Sequence, residues 1–325
     1  MTAVLVRALG DLAHRAAHAP GDCSCPPPVV LADRDDGTVL RSGPVVAKAH
    51  APGTDTAALA ARLRLAAGPG QAGTLLTPLP LPPAAHPAHG PHLTELHGRP
   101  VTLWPHGEPV DPSDPDAAPW EEAGALLARL HRTEVREPLP AMRGPLKAAL
   151  AVARMRAARP GDPAVAPVLT AWRGLPAWAR GEAASPEGRG TYLCHGDLHL
   201  GQLVRHPAPH GPWLLIDVDD AGRGDPAWDL ARPAAWYAAG LLPPEVWLRF
   251  LEAYRAGGGP AVRAEGDPWT ELDVSARALT VQTAALAWAK SAAEGRAPDE
   301  VEQVMIDACA RIASLPPELA AEHSS

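Results

Sequence analysis

Two aspartates, two histidines and a glutamine lie close together in the second half of the chain. His195, Asp197 and His199 alternate, and Gln202 and Asp217 follow them. Carboxylate and carboxamide oxygens are hard ligands suited to magnesium, whereas alternating histidines on an extended segment suit zinc or iron. These side chains mark a candidate active site, and a metallohydrolase that uses His195 and His199 is one hypothesis for it.

The sequence around these residues is typical of a β-hairpin. Apolar residues 203–204 and 213–216 flank a stretch rich in Pro, His and Gly at 206–212. Asp197 comes before the first arm, and Asp217 ends the second arm. Pairing of the two arms predicts that both carboxylates lie at the same end of the ribbon.

A longer motif extends over this region. Residues 195–202 (His-Gly-Asp-Leu-His-Leu-Gly-Gln), then Ile-Asp at 216–217 and Gly-Asp-Pro-Ala-Trp-Asp-Leu at 224–230, resemble the aminoglycoside phosphotransferase family, relatives of the protein kinases. The resemblance implies that Asp197 receives the proton of an attacking hydroxyl group, and that Gln202 and Asp217 bind magnesium against the phosphates of ATP. The family usually has Asn where this chain has Gln202, and its maltokinase-like branch also has Gln.

The resemblance implies a protein-kinase-like α+β fold of two lobes. A small β-sheet lobe over residues 1–104 would bind the nucleotide, and a mostly helical lobe over 105–325 would carry catalysis and the acceptor. In the first lobe Lys48 is the only lysine before residue 147, and the resemblance assigns it to the ATP phosphates. The apolar run that contains Leu103 and Trp104 matches the hinge whose backbone meets adenine, although a plain exit from a strand fits that run too.

One expected residue is missing from the nucleotide lobe. The family places a Glu on the helix after the strand lysine, but residues 56–67 contain only Ala, Leu, Arg and Thr. Asp55 or Glu95 are the candidates to replace it as the partner of Lys48. Because this Glu is missing, a second hypothesis stays open: a nucleotide-binding protein of this fold that is catalytically silent.

Apolar spacing and helix-start residues predict the supporting elements. Strands are expected at 29–31, 38–40, 45–48, 74–76 and 93–96, with a hairpin turn at 35–37, and helices at 2–18, 54–67, 119–131, 146–158, 165–172, 244–254, 268–292 and 298–315. Asp225, which precedes Pro226, suits the start of a further helix. Asp229 is expected to accept hydrogen bonds from the loop around Asp197, which the resemblance makes the catalytic loop.

Composition limits the classes of function. Of the 325 residues, 46% are hydrophobic and 20% are charged, which is typical of globular proteins, and the net charge of −8 argues against nucleic-acid binding. The residues after 105 carry a balance of −9, which favours a neutral or cationic acceptor. The chain shows neither an apolar run long enough to cross a membrane nor a signal-peptide pattern, so a cytoplasmic location is expected.

These observations and the resemblance together predict an enzyme. We expect an ATP- and Mg2+-dependent phosphotransferase whose acceptor is a hydroxyl of a small molecule, an aminoglycoside, an amino sugar or another sugar. We expect its partner to be that small-molecule acceptor, and we expect it to bind neither nucleic acid nor a membrane.

Overall fold

A computed structural model describes residues 3–18, 26–34, 37–83, 85–87, 89–135 and 138–314. In chain order its elements are α1 (Ala3–Ala17), β1 (Val29–Arg34), β2 (Gly37–Ser42), β3 (Val45–His50), α2 (Thr56–Ala67), β4 (Thr94–Leu96), β5 (Arg99–Pro105), β6 (Glu108–Pro109), α3 (Trp120–His131), α4 (Gly144–Ala158), α5 (Ala166–Arg173), β7 (Tyr192–Cys194), β8 (Leu203–Arg205), β9 (Trp213–Leu215), β10 (Gly222–Gly224), α6 (Ala227–Ala239), α7 (Pro244–Ala256), α8 (Trp269–Glu294) and α9 (Glu300–Ala313). The predicted α+β class is confirmed.

The chain forms two compact units. Unit 1 comprises Met1–Ala118, Glu137–Leu139 and Gly201–Asp219, and unit 2 comprises Pro119–Arg136, Pro140–Leu200 and Asp220–Ser325. Unit 1 holds most of the strands, and unit 2 holds helices α3 to α9. The division of labour between a nucleotide lobe and an acceptor lobe at residue 104 remains a prediction.

Unit 1 is built on a five-stranded antiparallel sheet with the order β1-β2-β3-β5-β4. Helix α1 covers the sheet because Leu5, Leu9 and Leu12 share one face, and they are buried in one core with Leu40 and Leu103. The predicted strands at 29–31, 38–40, 45–48 and 93–96 are confirmed. The turn residues Asp35 and Asp36 lie outside the described residues.

The strand predicted at 74–76 was wrong. Leu75 makes a single parallel bridge to Leu215 of β9. The pairing stays short because Pro78 and Pro80 follow directly, and proline has no N–H to continue a ladder.

A second sheet of unit 1 contains the predicted hairpin. Its order is β6-β8-β9, and Leu203 pairs with Leu215 and Arg205 with Trp213 in the antiparallel hairpin. The hairpin prediction is confirmed. Its register brings the residue before β8, Gln202, opposite the residue after β9, Ile216, and the Ile216 N–H donates to the Gln202 carbonyl over 2.9 Å.

Unit 2 is a helical body around the 26-residue helix α8, whose buried face packs on α4, α5, α6 and α9. A short ribbon pairs Leu193 of β7 with Arg223 of β10. The predicted helices of this unit are confirmed, and α6 begins after Asp225 as expected, because the Asp225 carboxylate accepts from the Ala227 N–H at 3.0 Å. Among the described residues, every helix is too short or too polar to span a bilayer.

Candidate active site

Unit 1 gathers Lys48 and two carboxylates that follow β9. The ammonium of Lys48 lies 2.8 Å from Asp217 Oδ1 and 3.0 Å from Asp219 Oδ2. Burial by itself would lower the pKa of Lys48, but Asp219 and Asp217 outweigh it and raise the pKa above its usual value. Lys48 is therefore a fixed positive charge between two carboxylates.

Asp217 has an uncommon backbone conformation. Its φ of +64° lies in the left-handed region, which costs a non-glycine residue about 1 kcal/mol or more. The hairpin register places this residue one position beyond the Ile216–Gln202 hydrogen bond, and Gln202 is 9% exposed. The oxygen donors Gln202 and Asp217 therefore lie at the same end of one hairpin, a donor set suited to a hard divalent cation.

Asp219 also contacts His50, which lies two residues after Lys48 on β3. His50 Nδ1 is 2.9 Å from Asp219 Oδ2, and His50 Nε2 is 2.9 Å from the hydroxyl of Thr102. The Trp104 indole N–H donates to the same hydroxyl over 2.9 Å. Burial alone would raise the pKa of Asp219, but His50 and Lys48 lower it well below its usual range, so Asp219 stays ionised.

The Lys48 contacts correct one expectation from the sequence. Asp55 caps helix α2 by accepting from the N–H groups of Ala57 and Ala58, each at 3.0 Å, and Glu95 is exposed on β4. The ion pairs of Lys48 in the structure are with Asp217 and Asp219. Asp219, rather than Asp55 or Glu95, is the second carboxylate beside the lysine.

The two predicted hinge residues lie on β5. The Leu103 side chain is fully buried in the sheet core, and its carbonyl accepts from the Leu79 N–H at 2.8 Å. The Trp104 side chain is 8% exposed. One lone pair of the Leu103 carbonyl is thus already occupied, and the contact of this segment with adenine remains a prediction.

Unit 2 carries Asp197 on the loop that follows β7. Gly196 takes a φ of +85°, and a Cβ there would meet the Asp220 carbonyl oxygen. Only glycine fits this close approach without strain. The glycine of the His-Gly-Asp motif therefore lets the loop pack against the segment just before β10.

Asp197 is held by two cations of unit 2. The ammonium of Lys147 on α4 lies 2.7 Å from Asp197 Oδ2, and Arg232 on α6 donates to Oδ1 at 2.9 Å. Arg232 also donates to the Leu198 carbonyl at 3.1 Å. Burial would raise the pKa of Asp197, but Lys147 and Arg232, helped by His199, lower it to about 2.

A buried carboxylate fixes the backbone of the same loop. Asp229 accepts from the N–H groups of His195 and Gly196 at 2.6 and 2.7 Å, and lies 2.9 Å from His131 Nε2. Burial alone would raise its pKa, but the hydrogen bond from His131 and the charges around it lower the pKa instead. The prediction that Asp229 accepts hydrogen bonds from the catalytic loop is confirmed.

Within the described residues, the ligand cluster that the hydrolase hypothesis needs is not found at His195 and His199. In the part of the chain that the structure describes, the metal-ligand atoms grouped within 4.8 Å of one another belong to His131, Cys194 and Asp229, not to His195 and His199. Burial raises the pKa of the Cys194 thiol, with Asp229 adding to the effect, so the thiolate that binds metal is disfavoured. His131 and Asp229 are hydrogen-bonded to each other, and the group is a packed network.

A sequence model of the phosphotransferase enzyme family matches residues 38–269. The chain belongs to this family. The match covers both the Lys48 strand and the 195–230 motif, so the prediction of a phosphotransferase with an alcohol group as acceptor, a small-molecule kinase, is confirmed at the level of the family.

Solved structures share the fold of this phosphotransferase. A choline/ethanolamine kinase family protein from Mesorhizobium loti is similar over 99% of this chain and 100% of that chain, at 17% identity and a TM-score of 0.60. A thermostable mutant of aminoglycoside phosphotransferase APH(4)-Ia, bound to AMP-PNP and hygromycin B, is similar over 90% of this chain and 96% of that chain, at 15% identity and a TM-score of 0.58. Choline kinase LicA from Streptococcus pneumoniae is similar over 89% of this chain and 94% of that chain, at 12% identity and a TM-score of 0.53. The kinase-like fold is thereby confirmed.

Sequence reasoning missed several residues of the two clusters. Lys147, Arg232 and Asp220 surround Asp197, and His50 supports Asp219. One observation could have identified Lys147, because the chain has only three lysines and one had already been assigned to phosphate. The others have no local pattern that separates them from surface charges.

Proposed function

We propose that this phosphotransferase moves the γ-phosphoryl group of ATP to a hydroxyl of a small molecule, with magnesium. The observation that carries the proposal is the Lys48 cluster, where residues 169 positions apart meet at 2.8 Å. A charged lysine held beside two aspartates offers a cation to phosphate oxygens and carboxylate oxygens to magnesium, as ATP-dependent phosphoryl transfer uses them. The acceptor classes are those expected from the sequence, an aminoglycoside, an amino sugar or another sugar.

The residues present fit a magnesium ion. Gln202 and Asp217 would hold it, since both offer oxygen donors at the same end of the β8–β9 hairpin. When bound, magnesium neutralises charge on the phosphates. Lys48 would pair with phosphate oxygens, and Asp219 supports the lysine through its 3.0 Å contact.

Asp197 would orient the acceptor hydroxyl and receive its proton. In the transfer, the bond between the γ-phosphorus and the ADP oxygen breaks with its electron pair going to ADP, and the acceptor oxygen bonds to phosphorus. A carboxylate whose pKa is about 2 is a weak base, so it takes the proton late, when the acceptor oxygen has become acidic. Orientation is therefore its larger contribution. Because the enzyme would consume ATP, we also propose a cytoplasmic location.

The experiment is an ADP-release assay with a magnesium titration, run on wild type and Asp197→Asn. We expect turnover that requires magnesium, and a loss of about 10²-fold or more in kcat for Asp197→Asn, in the range of general-base contributions. ATP should still raise the Tm of the variant by as much as it raises that of wild type. Lys290→Gln, at an exposed lysine of α8, is the matched control.

Two results would overturn the proposal. If millimolar ATP with magnesium fails to raise the Tm of the wild type, the silent nucleotide-binding hypothesis is abandoned together with the kinase, because a ligand of the native state must stabilise it. If purified protein carries stoichiometric zinc or iron that is lost together with activity in His199→Ala, the hydrolase hypothesis is favoured.

A further inference from the structure

The surroundings of Asp197 carry more positive than negative charge. Asp197 and Asp220 are bridged by one ammonium, because Lys147 Nζ lies 2.7 Å from a carboxylate oxygen of each. Arg232 binds the other oxygen of Asp197 at 2.9 Å, and Arg143 Nη1 lies 3.5 Å from the other oxygen of Asp220. Three cations thus pair with two carboxylates.

The side chains of this cluster are largely buried within unit 2. The side chains of Lys147, Arg232 and Asp220 are 25%, 20% and 15% exposed. Burial by itself would lower the pKa of Lys147, but Asp220 and Asp197 raise it, so the ammonium remains charged at neutral pH. The Arg143 N–H donates to the Asp220 carbonyl at 3.1 Å, which ties the start of α4 to the same cluster.

An acceptor has to share the Asp197 carboxylate with these groups. Its reacting hydroxyl must come within hydrogen-bond reach of a carboxylate oxygen that already binds Lys147 or Arg232. The hydroxyl oxygen therefore lies within roughly 6 Å of a fixed cation, the sum of two hydrogen-bond lengths. An ammonium on the carbon next to the one that bears that hydroxyl would face like charge in a half-buried site.

We propose that the acceptor carries no ammonium group beside its reacting hydroxyl, and that Lys147 is the residue that excludes such acceptors. The lysine already occupies the position from which a substrate ammonium could pair with both Asp197 and Asp220. This inference rests on the proposed function and narrows it to neutral hydroxyl compounds such as unmodified or N-acylated sugars. It narrows the neutral or cationic acceptors that the −9 balance of residues 106–325 favoured to the neutral ones.

The test compares acceptors that differ only in charge. ADP release with ATP and magnesium is measured with glucose, galactose and mannose, each beside its 2-amino-2-deoxy and N-acetylated counterparts. Ethylene glycol, ethanolamine and N-acetylethanolamine form a fourth set, and kanamycin and choline are added as strong cations. We expect kcat/KM for the neutral and N-acetylated members to exceed that of the amines at least about 10-fold, as a like-charge penalty in a half-buried site implies.

Variants of Lys147 separate charge from shape. Lys147→Gln leaves two cations for two carboxylates, so the ratio of neutral to amine kcat/KM should fall at least about 10-fold toward unity. Lys147→Arg keeps the charge and should keep the discrimination. Lys290→Gln, far along α8 and 57% exposed, should leave the ratio unchanged.

Each outcome decides one of the two proposals. Turnover of ethanolamine or choline, or phosphorylation of an amino sugar or kanamycin at a hydroxyl next to an ammonium, at rates equal to or above those of the neutral members would overturn the acceptor class and leave the phosphotransferase intact. An unchanged ratio in Lys147→Gln would overturn the role of Lys147. The absence of magnesium-dependent phosphorylation with every compound would overturn the proposed function, and the acceptor class with it.

Discussion

Replacing Asp229 by Asn tests how the catalytic loop is held. The fully buried carboxylate accepts from three donors, the N–H groups of His195 and Gly196 and the ring of His131. An Asn side chain offers one oxygen, and its NH2 group then faces a donor in either orientation. One donor is left buried and unpaired, which costs about 1–3 kcal/mol, and loss of the charge adds about 1 kcal/mol.

The expected loss in the free energy of unfolding is therefore about 2–4 kcal/mol, a large share of the 5–15 kcal/mol typical of whole domains. Urea unfolding followed by circular dichroism measures it, and if the two units unfold separately, the loss belongs to the transition of unit 2. We also expect kcat to fall, because His195 and Gly196 directly precede Asp197.

Asp162→Asn is the matched control. Asp162 caps a short turn at a partly exposed site, where it accepts from the Ala164 N–H at 2.9 Å and pairs with Arg159 at 3.1 Å. Asn keeps the cap and loses a partly exposed ion pair, at a total cost of about 1 kcal/mol or less. A change of less than about 0.5 kcal/mol in Asp229→Asn, the level seen at ordinary surface sites, would refute the argument that this carboxylate anchors the loop.

Three further predictions concern the two clusters. Lys48→Ala should reduce the rise in Tm that ATP with magnesium produces, and an unchanged rise in a thermal-shift assay would show that the lysine does not contact phosphate. Gln202→Asn should keep activity but shift the magnesium dependence of turnover, since the side chain is one methylene shorter; a titration identical to wild type would contradict its role as a ligand. Asp197 has a folded pKa of about 2 against 3.8 ordinarily, so its contribution of about 2 kcal/mol is present above pH 4 and lost as the pH falls through 2. The difference in unfolding free energy between wild type and Asp197→Asn should shrink accordingly in urea titrations, and a difference independent of pH would contradict the ion pairs.

Local sequence rules predicted the parts of this fold that depend on neighbours in the chain. The β8–β9 hairpin follows from two apolar runs and the breakers between them, and its pairing fixed the relation of Gln202 to Asp217. The Asp225-Pro226 pair likewise marked the start of α6. By contrast, residues 74–76 had the composition of a strand but formed only one bridge, because sheet pairing depends on partners that the local sequence does not contain.

The partners of the charged residues were the hardest to predict. The search for a carboxylate beside Lys48 considered Asp55 and Glu95, which are near it in the sequence, whereas Asp219 is 171 residues away along the chain. Ion pairs of this kind depend on tertiary packing and leave no periodic pattern. The same reason explains why Lys147 and Arg232 were not connected with Asp197.

The hydroxyl of Tyr254 links the loop after α7, through His131 and Asp229, to the loop that carries Asp197. It accepts from the Ala261 N–H at 2.9 Å and lies 2.8 Å from His131 Nδ1, so the phenol can donate to His131 while the other ring nitrogen donates to Asp229. Gly259 lies flat against the Tyr254 ring, and a Cβ there would come far inside contact distance of the ring carbons. Because the Asp229 carboxylate can only accept, the hydrogen bonds run from the Ala261 N–H through Tyr254 and His131 to Asp229, which also accepts from the Asp197 loop. Changes in the length or sequence of the loop after α7 would alter the enzyme from a distance, so grafting or randomising this loop in protein engineering would have to retain Gly259.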